Sequence, residues 1–102
     1  MTNEERSTRV LEIGQELMQK IAQASDPSEP TFATLRARVK LMDVLKETCV
    51  EPVMQEIAIE VLPLGLTSGE HIEVLARDIR EGNLRKKHAH HFDKMFARDL
   101  GL

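Results

Sequence analysis

The chain of 102 residues is 41% hydrophobic and 30% charged, with 14 Lys and Arg against 17 Asp and Glu and a formal net charge of −3. This balance argues against intrinsic disorder and provides no overall attraction to nucleic acid or to an anionic membrane. A single cysteine, Cys49, leaves no internal disulfide to form, and no apolar run approaches the ~20 residues of a membrane span.

Length predicts one domain, residues 1–102. The polar start MTNEERSTR, with no apolar stretch, does not read as a targeting peptide, so the expected location is the cytoplasm. With three Phe and no Trp or Tyr, the core must be built from Leu, Ile, Val, Met and Ala.

Residues 3–24 read as an amphipathic helix. Thr2 and Glu5 fit a capping box, and Glu4 and Glu5 suit the positive end of the helix dipole. Val10, Leu11, Ile13, Leu17, Met18 and Ile21 share one half of the wheel, with Glu12, Gln15, Glu16 and Gln19 on the other. Gly14 lies in the apolar face, where a glycine costs about 1 kcal/mol relative to alanine. The expectation is a point of close helix approach. SDPSEP, residues 25–30, reads as a loop, because two prolines cannot continue the helix.

A second helix is expected from a Thr31 cap to about residues 47–50. Its polar side is narrow, with Arg36, Lys40, Asp43 and Glu47, while Leu35, Val39, Leu41, Met42, Val44 and Leu45 spread round most of the rest. A helix apolar on two sides is central or meets a partner. Arg38 and Lys46 interrupt the arc, either snorkelling to water or pairing across an interface. Pro52 suits the start of a third, strongly apolar helix over 52–62, ended by Pro63 and Gly65, with LPLGL as a packed hydrophobic turn. Thr67 and Glu70 form a second capping-box pattern. It opens a fourth helix with Ile72, Leu75, Ala76 and Ile79 on its core face. Gly82 reads as its terminator and Asn83 as the cap of a fifth helix from Leu84 to about Leu100. No strand pattern or repeat is present, so the fold class is all-α: a compact bundle or orthogonal array of four to five helices.

The last twenty residues change character. After residue 83 there are five Lys and Arg against two Asp, and His88, His90 and His91 crowd four positions. On a continuous helix Leu84, His88, Phe92, Met95 and Phe96 share the core side, making His88 a core or boundary histidine satisfied by one hydrogen bond. Lys87, His91, Lys94 and Arg98 form a basic stripe. Arg85, Lys86 and Lys87 oppose the dipole of their own helix, and a broken local rule marks a place to look for function. The candidate surface for a partner or nucleic acid is therefore Arg85, Lys86, Lys87, His91, Lys94 and Arg98. His88 and His91, three apart, could share a metal with an acid from elsewhere, but HAHH lacks His-x₃-His spacing and adjoins no CxxC. The acid pairs Glu12/Glu16 and Glu56/Glu60 carry no Glu-x-x-His, so neither a metal nor another cofactor is expected.

These features bear on three classes of function. An enzyme is disfavoured: GLTSGE lacks the lysine and spacing of a phosphate loop, Ser68 and His71 have helix-cap spacing, and Cys49 has only Lys46 as a basic neighbour. A nucleic-acid-binding regulator rests on the helix–EGN–helix order of residues 69–99, with the basic helix second as in a helix-turn-helix. The favoured expectation is a small non-enzymatic regulator, adaptor or inhibitor that binds another protein through a helical surface, as a homodimer.

Overall fold

The computed structural model describes residues 1–64 and 69–93, and every described element is helical. α1 (Asn3–Gln23) begins where the sequence places it. Thr2 Oγ1 accepts from the Glu5 backbone N–H at 3.1 Å, and the Glu5 carboxylate accepts from the Thr2 N–H at 3.2 Å, completing the capping box. Val10, Ile13 and Leu17 are buried, whereas Met18 is exposed. Gly14 is a contact point with α4 (Gly69–Arg80): a Cβ built on it would lie 2.6 Å from Cγ2 of Ile72.

α2 (Glu29–Leu45) starts two residues before the expected Thr31 cap. Asp26 is the reason. Its Oδ1 accepts from both the N–H and the hydroxyl of Ser28 at 2.8 Å, and its carbonyl accepts from the Glu29 N–H at 3.1 Å. This side-chain turn leads straight into a helix whose first turn holds Pro30, where the missing N–H has no intrahelical partner to lose. Thr34 is buried within the helix and is satisfied by donating to the Pro30 carbonyl at 2.9 Å. The helix stops at Leu45, whose carbonyl accepts from the N–H groups of Thr48 and Cys49.

α3 (Glu51–Val61) carries Pro52 in its first turn and buries Val53, Ile57, Ala58 and Val61. Arg38 neither snorkels nor waits for an interface: its Nε donates to the Leu62 carbonyl at 2.8 Å, satisfying a carbonyl at the end of α3. Lys46 bridges to Asp43 of its own helix at 2.9 Å. In the hydrophobic turn Leu62 is fully buried but Leu64 is exposed; residues 65–68, including the Thr67 cap, lie outside the described residues.

α4 buries Ile72, Leu75, Ala76 and Ile79 as the periodicity predicts, and also Asp78. It ends in a Schellman motif. The Asn83 N–H donates to the Asp78 carbonyl at 2.8 Å, the Gly82 N–H donates to Ile79, and Gly82 takes φ +74°. Asn83 precedes α5 (Leu84–Lys87) but does not cap it with its side chain, which reaches back to Glu81. α5 is a single turn. His88 leaves the helix at φ −111°, ψ 29°, and helical backbone resumes over 89–93.

α1 packs against α4 and α2, α3 against α2, and α5 against α4, in an array of 47 × 30 × 19 Å, about two helix diameters through its thinnest direction. The all-α class holds, and no described helix is long and apolar enough to cross a membrane.

Candidate functional site

Two features distinguish this array. The first is the outer side of α2. Ala33, Ala37, Leu41, Val44 and Leu45 enter the core. Phe32, Leu35 and Val39 are 56%, 41% and 68% exposed, and Met42 continues the row half-buried. At ~100° per residue the two sets occupy roughly opposite sides of the helix. The spacing of the outer row is three, four and three residues, that of a seam between paired helices. The seam ends near Glu29 at one end and Lys46 at the other.

The second is a histidine–carboxylate cluster between α3 and the C-terminal segment. The break at His88 builds it. On a continuous helix His88 and His90 would face nearly opposite ways. With the break, both rings and that of His91 gather on Glu60. His91 Nε2 lies 2.5 Å from Glu60 Oε2, His90 Nε2 3.4 Å and His88 Nδ1 3.9 Å from the same oxygen. His91 Nδ1 lies 2.7 Å from Glu56 Oε2. Both His91 contacts are hydrogen bonds only when both ring nitrogens carry a proton, since a neutral imidazole donates from one.

Behind the cluster is a cavity of about 190 Å³ lined by Glu60, Val61, Leu75, Asp78 and His88 among others. Two buried polar atoms on its wall, His88 Nδ1 and Asp78 Oδ1, have no hydrogen-bond partner. Burial pushes the His88 imidazole below its ordinary value, against the pull of Glu60. Burial works to raise Glu60, but the His91 hydrogen bond and the charges of His88 and His91 outweigh it and hold the carboxyl below its usual range.

The predicted site residues separate. Arg85, Lys86 and Lys87 are exposed together on α5, and the Arg85 guanidinium stacks 5.0 Å from the centre of the Phe92 ring. His91 does not join them: its side chain is 11% exposed and turned onto α3. Lys94 and Arg98 lie outside the described residues. His88 is buried, as the wheel predicts, but it lacks the single hydrogen bond expected of it. The basic helix expected from Leu84 is, among the described residues, the single turn α5 followed after His88 by helical backbone over 89–93.

Sequence reasoning did not place Asp78 in a site, and it set Glu56 and Glu60 aside because no Glu-x-x-His accompanies them and the pair lies on a polar face. Their one-turn spacing was the available signal; the histidines arrive from another element. Compared with known protein families, curated proteins and solved structures, the chain matches none.

Proposed function

We propose that this protein is a non-enzymatic interaction module that works by docking α2 against another protein, in the first instance a second copy of itself. The observation that carries this proposal is the seam Phe32–Leu35–Val39–Met42, apolar and helically spaced on the outer side of α2, with Phe32, Leu35 and Val39 exposed and Met42 half-buried. Large apolar side chains in a contiguous row are a poor surface to leave in water.

Two such seams set antiparallel about a two-fold axis bring Leu35 of one copy against Val39 of the other, and Phe32 against Met42. The same register brings Glu29 of one copy towards Lys46 of the other, so charge favours the antiparallel pairing. A standard interface covers roughly 800 Å² on each partner. One seam on a helix of 17 residues supplies only the centre of such a patch, so the dimer is concentration-dependent and the same face is open to exchange for a larger apolar partner. The exposed Arg85, Lys86 and Lys87 corner would add steering towards an acidic partner. With its one cysteine buried and no disulfide to preserve, the protein suits the cytoplasm.

Sedimentation equilibrium on the full chain tests the proposal. The wild type should pass from monomer to dimer as concentration rises. Val39→Glu, at a position 68% exposed, should keep its fold within about 0.5 kcal/mol and stay monomeric. A wild type that is monomeric at every concentration reached, or a Val39→Glu variant that dimerises equally well, would refute it.

A further inference from the structure

We propose that Glu60, His90 and His91, with His88 as the fourth donor, form a binding site for a divalent transition-metal ion of the zinc type. The ligand atoms of Glu60, His90 and His91 lie within 4.8 Å of one another. In a tetrahedral site with bonds of ~2.0–2.1 Å, neighbouring donors are about 3.3 Å apart. The His90–Glu60 separation of 3.4 Å already has that value, and His88–Glu60 at 3.9 Å is close to it. Of the three separations to Glu60, the 2.5 Å contact with His91 is the one that must open, and replacing its proton with a metal ion does that. Imidazole nitrogens with one carboxylate make a donor set that suits zinc and its neighbours, and not calcium or magnesium, which want oxygen.

Three further observations support the site. His88 Nδ1 is buried with no partner, on the wall of the cavity that Glu60 also lines; an unfilled nitrogen there is a donor waiting for an acceptor of its lone pair. Glu56 stands where metal-bound histidines commonly keep a carboxylate, 2.7 Å from the His91 nitrogen opposite the proposed metal bond, fixing the ring and its tautomer. Asp78, whose Oδ1 is buried without a hydrogen-bond partner, lines the same cavity. The cluster lies on α3 and the C-terminal segment, and not on α2, so the site stands or falls independently of the docking proposal.

The test is calorimetric titration of the untagged full chain with zinc chloride, with cobalt(II) absorption as a second readout of tetrahedral geometry. One ion per chain is expected, together with an intense visible cobalt band. Glu60→Gln, His90→Asn and His91→Asn should each weaken binding more than about 100-fold, and Glu56→Gln about 10–100-fold. Glu12→Gln, an exposed carboxylate on α1 away from this cavity, should bind like the wild type. Circular dichroism of each variant establishes that its fold is intact; Glu60 is 48% exposed at the side chain, so Glu60→Gln should not unfold the chain. Failure of the wild type to bind would overturn the proposal. So would binding that survives Glu60→Gln undiminished, because surface histidines alone would then account for it.

Discussion

Replacing Gly14 with alanine sets two calculable effects against each other. Alanine in the interior of α1 gains about 1 kcal/mol of helix propensity over glycine. Its methyl group, however, would meet Ile72 Cγ2 at 2.6 Å, with Cβ and Cγ1 of the same residue at 3.4 Å. Ile72 is 4% exposed and β-branched, with a stiff χ1, so it cannot swing aside without moving α4. Overpacking of this kind costs about 1–3 kcal/mol. The net expectation is a destabilisation of about 1 kcal/mol, or a fall in Tm of about 4–8 °C for a domain of this size. Urea and thermal melts followed by far-UV circular dichroism measure it. The mechanism makes a sharper demand in a second background. With Ile72→Ala already in place the clash is gone, and Gly14→Ala should then stabilise by about 1 kcal/mol. A Gly14→Ala change that stabilises the wild type, or whose effect is the same in both backgrounds, would refute the close-approach argument.

Two further outcomes are expected. Leu17→Ala and Ile57→Ala remove side chains that are 2% and 0% exposed, and each should cost roughly 2–5 kcal/mol in the same melts, whereas silence at either position would contradict the packing described. Arg38→Met keeps an apolar stem but leaves the Leu62 carbonyl unsatisfied; a loss of about 1–2 kcal/mol is expected, with amide exchange accelerated most in the last turn of α3.

Much of the fold was legible in local chemistry. The capping box at Thr2, the role of Gly82, the proline in the first turn of α3 and the buried faces of α1 and α4 all arise from residues within a turn or two of one another. Such signals survive in a linear sequence because their physics is short-range. The start of α2 was also local, but Asp26 was read only as a loop residue, so its side-chain turn was missed.

What required the tertiary structure was the relation between elements. A helix apolar on two sides cannot declare which side is covered; packing against α1 and α3 covers Ala37 and Leu41 and leaves Phe32, Leu35 and Val39 outside. Arg38 finds its acceptor 24 residues away. The histidines show the limit most clearly. A wheel drawn for a continuous helix turns His90 away from His88 and His91, and it cannot say which acid of another element meets them. One non-helical residue, His88, re-aims the rings, and packing of that segment against α3 brings Glu56 and Glu60 to meet them. The sequence determined by itself which residues make helices and where most of them stop, because caps and periodicity act between near neighbours. Only the tertiary structure decided which faces stay open and which charges meet, because those depend on the meeting of elements distant along the chain.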